Sequence, residues 1–169
     1  MRDLDWQRAV SFAARFHGGQ LRKDGRTPYV AHPFRVAMTV RHVFGIDDRV
    51  AICAALLHDV IEDTTADYDD IDREFGTEVA TAVAALTKDM RLPDEKREPE
   101  YDAQLCAASW QARAVKLADV YDNMCDCHTG AMRRSAALKA HRAIECAGEG
   151  PELEHAVAKL RELLEKTSD

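Results

Sequence analysis

The pair His58-Asp59 stands where an apolar run of the sequence gives way to charge. Residues 50–57 are all apolar or small, whereas residues 58–63 contain a histidine, two aspartates and a glutamate. Carboxylates at the C-terminal end of a helix oppose its dipole, and burying charge without a partner costs far more. The run therefore predicts a positive partner beside Asp59, Glu62 and Asp63, and a bound metal ion is the simplest one. A helix with a solvated end is the alternative.

A second acidic stripe follows Lys116 in the sequence. Asp119 and Asn123 are one helical turn apart on a shared face, and Asp122 and Asp126 flank them. Carboxylates this close repel one another unless water or a cation neutralises them. An exposed helix face explains one such stripe. Two stripes, each opposite a strongly apolar face, favour a cation that is shared between helices.

Three further features have two interpretations each. His32 lies at the predicted start of a helix, where a histidine is often only structural. Arg22, Lys23 and Arg26 lie in a glycine-containing loop, which suits phosphate binding but also a solvated surface. Residues 125–128 read Cys-Asp-Cys-His, which could bind zinc. No second cysteine pair stands at zinc-finger or ribbon spacing, so zinc is the less favoured interpretation.

Helices are predicted to position these residues, because apolar side chains recur at helical spacing almost throughout the chain. The first helix has its apolar stripe at Trp6, Ala9, Val10, Ala13 and Phe16. The predicted helices cover about residues 6–16, 33–44, 48–63, 77–87, 112–127, 131–146 and 151–166, with another starting near 101. Residues 67–75 form a short acidic segment, and residues 91–100 read as an exposed loop. No alternation of period two predicts a strand, so the predicted fold class is all-α.

Length and composition describe an ordinary soluble globular protein. The 169 residues suffice for one domain with a full core and are few for two, so a single domain over residues 1–169 is predicted. No apolar run approaches the ~20 residues of a membrane span, and the N-terminus lacks a signal-peptide pattern. We therefore expect a cytoplasmic protein without a membrane partner.

The net charge bears on the expected binding partners, and the cysteine content bears on the expected redox state of the thiols. The net charge of −7 argues against a general nucleic-acid binder, although a small nucleotide needs only a local basic pocket. The five cysteines are odd in number and lie mostly in helical patterns, which fits reduced thiols better than disulfides. The sequence does not determine an oligomeric state.

Five short sequence motifs follow one another along the chain. Their combined order and spacing are far more specific for a protein family than the His58-Asp59 pair alone. They read AARFHGGQLRKDG at residues 13–25, PYVAHP at 28–33, AALLHDVIED at 54–63, FG at 75–76, and KLAD at 116–119 followed by Asn123. Together they resemble the HD-domain metal phosphohydrolases, and more narrowly the hydrolase domain of RelA/SpoT enzymes and the small alarmone hydrolases. The resemblance implies a compact helical bundle of the HD-domain type.

The same resemblance implies a role for each motif residue. The implied metal ligands are His32, His58, Asp59 and Asp119. Two imidazoles and two carboxylates suit a borderline-to-hard divalent ion, which in this family is usually manganese.

The remaining motif residues would act on the nucleophile and on the nucleotide. Glu62 and Asp63 match an acidic pair that orients the attacking water. Arg22 and Lys23 match a basic pair that meets the nucleotide, and Asn123 matches an asparagine beside the ribose and base.

The activity that the resemblance implies is hydrolysis of the 3′-pyrophosphate of guanosine tetra- or pentaphosphate, with release of pyrophosphate. Relatives commonly read LADRLHNMRT where this chain has residues 117–126, so Val120 and Cys125 remove two cations and Asp122 and Asp126 add two anions. An acidic pocket would repel a polyanion unless another cation compensates. Two alternatives therefore remain: a phosphohydrolase with a different nucleotide or phosphate-ester substrate, and a non-catalytic module that binds a metal or a nucleotide.

Overall fold

Helices form wherever apolar side chains recur at helical spacing, and residues 5–167, which the computed structural model describes, contain no strand. The helices are α1 Asp5–Phe16, α2 Ala31–Met38, α3 Arg49–Leu57, α4 Val60–Asp63, α5 Tyr68–Phe75, α6 Thr77–Leu86, α7 Asp94–Cys106, α8 Trp110–Cys125, α9 Gly130–Ala147 and α10 Pro151–Thr167. A π-helical turn, Thr39–Val43, extends α2. An isolated bridge joins Leu21 to Pro28 in the loop after α1. The all-α prediction is confirmed.

Helix α3 occupies the middle of the core. Its alanines and leucines at positions 51 and 54–57 are buried, and it packs against α1, α2, α6 and α8. Small side chains allow these helices to approach closely, and burial of their apolar surface stabilises the packing by roughly 25 cal/mol per Å². The end of α3 therefore points into the interior, beside α2 and α8.

The predicted helix over residues 48–63 is interrupted in the structure. Asp48 caps α3 by accepting a hydrogen bond of 2.8 Å from the Ala51 N–H, but α3 ends at Leu57 and α4 begins at Val60. The backbone of Asp59, at φ −98° and ψ −3°, departs from α-helical geometry. A continuous helix was the wrong prediction here. The turn gives His58 and Asp59 orientations that a helical wheel does not predict.

Two charged segments that were not assigned to helices are helical. Helix α5 begins with a capping box between Asp67 and Asp70. Helix α7 begins directly after Pro93, whose backbone is extended (φ −64°, ψ 150°), and it contains Pro99 in its interior. The prediction of an exposed loop over residues 91–100 is therefore wrong from Asp94 onward. Acidic side chains in the first turn favour this helix start electrostatically.

The predicted face of α1 is also corrected by the structure. Trp6 is 45% exposed, whereas Phe12, which was not assigned to the apolar stripe, is 5% exposed and packs edge-on against Phe75. Ala9 and Ala13 are buried as expected.

The cysteines differ from the prediction of reduced thiols. Cys106 and Cys146 form a disulfide that joins the C-terminal ends of α7 and α9. Cys53, Cys125 and Cys127 are free. The prediction is wrong for the bonded pair because the two residues are separated by 40 positions and meet only when α7 packs on α9. Between residues 5 and 167, the helices are too short or too polar to cross a membrane.

Candidate functional site

Two histidines and two aspartates meet where α2, α8 and the α3–α4 turn pack together. Donor atoms of His32, His58 and Asp59 all lie within 4.8 Å of one another. Asp119 joins them from α8, with its Oδ1 3.2 Å from His32 Nε2 and 3.9 Å from His58 Nε2. Asp59 Oδ2 lies 3.1 Å from His58 Nε2 and 3.7 Å from His32 Nε2. The structure thus brings together the four residues that were predicted as metal ligands.

The chemistry of this donor set fits a divalent cation. His58 Nδ1 lies 2.8 Å from the Ala55 carbonyl oxygen, to which it can only donate, while its buried Nε2 has no hydrogen-bond partner in the described part of the chain. A neutral imidazole that donates from Nδ1 presents a lone pair at Nε2. In the neutral ring that lone pair faces the carboxylates of Asp59 and Asp119, and a positive charge between them, either a metal ion or a proton on Nε2, satisfies all three groups.

The electrostatics of the cluster point the same way. Burial opposes the charged form of His58, but the carboxylates of Asp59 and Asp119 outweigh it and raise the pKa of His58 to about 9. Burial likewise opposes ionisation of Asp59, yet the His58 imidazole lowers its pKa to about 2. The cluster therefore favours a positive charge at its centre.

Asp119 is held in place by two neighbours on its own helix. The Lys116 ammonium lies 2.9 Å from Asp119 Oδ2, and the Asn123 amide donates to Asp119 Oδ1 at 2.6 Å. Burial works against the Asp119 carboxylate, but Lys116 and His32 keep its pKa well below the usual range. Asn123 was predicted to meet the nucleotide, and in the structure it contacts the predicted metal ligand Asp119.

Glu62 and Asp63 lie beside the cluster on α4. Glu62 Oε2 accepts a 2.9 Å hydrogen bond from the Lys88 N–H. Burial raises the pKa of Glu62, against the effect of this hydrogen bond. The Tyr29 hydroxyl lies 2.7 Å from Asp59 Oδ2 and 3.1 Å from Asp63 Oδ2. Both acids are therefore oriented by fixed donors close to the four predicted ligands.

A cleft opens over this cluster. It consists of two adjoining cavities of about 280 and 220 Å³, of which the larger contains the cluster. The two cavities share a set of mostly charged residues, namely Arg22, Lys23, Lys116, Asp119, Asn123 and Lys139. The walls therefore present both acids and cations, which suits an anionic ligand that also meets a metal ion.

Most of the cleft cations already have acidic partners. Arg22 Nη2 lies 2.8 Å from Asp126 Oδ2 and 3.3 Å from Asn123 Oδ1. Arg35 contacts both Asp122 and Asp126. Because these arginines neutralise the two acids, the repulsion that the sequence predicted for a polyanion is offset.

Two cleft cations remain without an ion-pair partner among the described residues, and these are Lys23 and Lys139. Desolvation by the cleft wall, together with the charges of Lys116 and Lys88, lowers the pKa of Lys139. The ammonium groups of Lys88 and Lys116 lie 5.1 and 5.4 Å from the centre of the Tyr101 ring. Cation–π attraction to this ring holds both lysines at the cleft wall.

Sequence reasoning missed Tyr29, Lys88, Lys116 and Lys139. A signal for Lys139 exists, because Met132, Ser135, Ala136 and Lys139 follow helical spacing and all line the cleft. Tyr29 and Lys88 lie in short connections and come close to the acids only through the fold.

The zinc interpretation of residues 125–128 gains no support. Within residues 5–167, the side chains that come close enough together to bind a metal ion are those of His32, His58 and Asp59. Cys125 is exposed, and Cys127 Sγ donates to the Asn123 carbonyl at 3.1 Å.

Comparison with known proteins gives a consistent result. The sequence model of the HD domain matches residues 9–142. The human guanosine-3′,5′-bis(diphosphate) 3′-pyrophosphohydrolase MESH1 is 43% identical over 119 residues, which are 70% of this chain and 66% of the human protein. An Aquifex aeolicus protein with the same activity in its name is 39% identical over 121 residues, 70% of this chain and 17% of that protein. The aligned part thus spans just under two thirds of the human relative.

A solved structure extends the similarity to nearly the whole chain. The metazoan SpoT ortholog described as hydrolysing ppGpp superimposes with a TM-score of 0.85 at 29% sequence identity. The superposition covers 96% of this chain and 95% of that one.

Proposed function

Because this chain belongs to the HD-domain family, we propose that it is a metal-dependent hydrolase that releases pyrophosphate from the 3′ position of guanosine 3′,5′-bis(diphosphate). One observation carries the proposal. His32, His58 and Asp59 converge to within 4.8 Å at the cleft that also contains Lys23 and Lys139. Relatives with this named activity and a similar fold support the choice of substrate.

We propose that His32, His58, Asp59 and Asp119 hold one divalent ion and that this ion is manganese. Imidazole and carboxylate donors together suit borderline-to-hard divalent ions. Bound there, the ion would lower the pKa of a coordinated water and neutralise phosphoryl oxygens. Lys116 and Asn123 keep the Asp119 carboxylate ionised and oriented.

Glu62 and Asp63 are proposed to orient the attacking water and to accept its proton. The Lys88 N–H fixes Glu62, and burial raises its pKa, which makes its carboxylate a better proton acceptor. Tyr29 fixes Asp63 and Asp59 together. This pair distinguishes a hydrolase from a module in which the ion only joins helices, because a structural ion needs no oriented acids beside it.

Recognition of the nucleotide is assigned to the cationic wall of the cleft. Arg22 and Lys23, from the loop after α1, and Lys139, from α9, line the cavity that contains the four proposed metal ligands. Lys23 and Lys139, which lack acidic partners in the described chain, can give their full charge to phosphate groups. Asn123, which contacts Arg22 and Asp119, is assigned to the ribose and base.

The proposal is tested by measuring Mn²⁺-dependent release of pyrophosphate from guanosine 3′,5′-bis(diphosphate). His58→Ala and Asp59→Ala should each lower kcat/KM by more than about 100-fold, because loss of a metal donor should exceed the 10–100-fold cost of losing a supporting group. His155→Ala, at an exposed position of α10, is the control and should retain full activity. No pyrophosphate release from the wild-type protein in Mn²⁺ contradicts the proposal.

A second candidate keeps the metal centre and changes the substrate. Val120 lines the cleft where relatives commonly carry arginine, and Arg22 is already paired with Asp126. Both features reduce the positive charge that is available to a bis(diphosphate). A panel of nucleotides and phosphate esters, assayed with Mn²⁺, Mg²⁺ and Co²⁺, separates the candidates. A clear preference for the bis(diphosphate) eliminates the second.

A further inference from the structure

Asp122 is a buried acid in direct contact with the proposed metal centre. Its side chain is 6% exposed, and its Oδ2 lies 2.7 Å from His32 Nδ1. The opposite ring nitrogen, His32 Nε2, faces Asp119 and Asp59. The His32 ring therefore lies between a carboxylate on one side and the cluster on the other.

Arg35 holds this carboxylate in a fixed orientation. Its Nε lies 2.7 Å from Asp122 Oδ1 and its Nη2 lies 2.9 Å from Asp122 Oδ2, which is a bidentate pairing. Arg35 follows His32 by one turn on α2, so the same helix supplies the ring and the group that fixes its carboxylate partner. The two contacts leave Asp122 little freedom to rotate away from His32.

We infer that Asp122, held by Arg35, is a positioning residue for the metal centre, a step that rests on the proposed function. The carboxylate accepts a hydrogen bond from the Nδ1–H group of His32, which fixes the ring and directs the Nε2 lone pair to the ion. Partners of this kind also strengthen an imidazole as a ligand. The acid at position 122, where relatives commonly carry histidine, is then a support for the ion and not a source of repulsion for the substrate.

The test is calorimetric titration of Mn²⁺ into the metal-free 169-residue chain. Asp122→Asn keeps the size of the side chain and removes its charge. It should raise the Mn²⁺ dissociation constant by about 10–100-fold, because the support for the ligand His32 is weakened. Asp5→Asn is the matched control, because Asp5 is also a buried acid paired with an arginine, Arg49, at 2.6 Å. This control should leave the Mn²⁺ dissociation constant unchanged even where it lowers the melting temperature.

A kinetic measurement separates positioning from a general loss of structure. In Asp122→Asn, the Mn²⁺ concentration for half-maximal pyrophosphate release should rise by the same factor as the dissociation constant. The KM for the nucleotide should change much less. If Asp122→Asn does not fold, the double variant Arg35→Gln with Asp122→Asn removes both charges together, keeps a polar pair and should show the same weakened affinity.

The outcomes distinguish two failures. Wild-type protein that binds no Mn²⁺ overturns the proposed metal centre and this inference with it. If wild-type protein binds Mn²⁺ and Asp122→Asn, or the double variant, binds it equally tightly, only the role of Asp122 is overturned.

Discussion

At the scale of single residues, the candidate site consists of charged side chains that lie beside apolar ones. His58, Asp59 and Asp119 stand beside apolar runs, and charge in such a place requires a partner. The role of Asp122 was not predictable, because its partners Arg35 and His32 lie 87 and 90 positions away. The sequence shows an extra negative charge at Asp122, and only the fold shows that this charge is neutralised.

Lys139 should make substrate capture sensitive to alkaline pH. Its pKa is lowered, so as pH rises it loses its proton earlier than an ordinary lysine, whose pKa is about 10.4. The value of kcat/KM, which reports on the free enzyme, should fall as pH passes through the pKa of Lys139. Lys139→Arg should move this fall to higher pH, because guanidinium stays charged.

Two further variants complete the Lys139 test. Lys139→Met should lower kcat/KM at neutral pH by about 10-fold or more, the usual effect of losing a charged hydrogen bond. Lys166→Arg, at an exposed position of α10, should leave the pH profile unchanged. An alkaline limb that is identical in wild type and Lys139→Arg contradicts a role for this lysine.

At the scale of elements, apolar periodicity identified the buried helices and failed where polar residues decide the outcome. Helices α9 and α10 were predicted within two residues, because apolar side chains recur along them at helical spacing. Helix α7 was predicted only from about residue 101, because residues 94–100 are mostly charged, follow Pro93 and include Pro99. The break after Leu57 was also invisible, since residues 58–63 are compatible with a helix.

The start of α3 makes a testable contribution to stability. Asp48 accepts the hydrogen bond that caps this central helix, so Asp48→Ala should lower the free energy of unfolding by about 1 kcal/mol. Asp47→Ala is the matched control, because Asp47 is exposed and its ion pair with Arg41 lies at the surface. Urea denaturation of both variants gives the comparison. Equal losses in the two variants contradict a capping role for Asp48.

At the scale of the whole molecule, the family match covers residues 9–142, and α10 packs against α8 and α9 beyond it. The predicted single domain over residues 1–169 and the cytoplasmic location remain predictions. Residues 1–4, 168 and 169 lie outside the described chain. Long-range pairing, such as α7 on α9, was the part of the architecture that local patterns did not predict.

The Cys106–Cys146 disulfide should stabilise the whole fold. It links residues separated by 40 positions, and closing a loop of that size in the unfolded chain corresponds to about 4 kcal/mol. Dithiothreitol, or Cys106→Ser together with Cys146→Ser, should lower the free energy of unfolding by a comparable amount. Cys125→Ser, at an exposed free thiol, is the control and should have little effect.

A thiol count checks the premise of the disulfide prediction. Unfolded, non-reduced protein should react with a thiol reagent at Cys53, Cys125 and Cys127. Reaction at all five cysteines, with no stabilisation lost on reduction, contradicts the prediction.

The proposed ion has donors from three separate stretches of the chain: the start of α2, the α3–α4 turn, and α8. Those stretches meet only in the native state, so the ion is a ligand of the folded form alone. Free ion at 100 times its dissociation constant then adds about 2.7 kcal/mol to the folded state. Scarcity of the metal in a cell would thus deplete the protein itself, through unfolding and proteolysis, as well as slow its turnover of substrate.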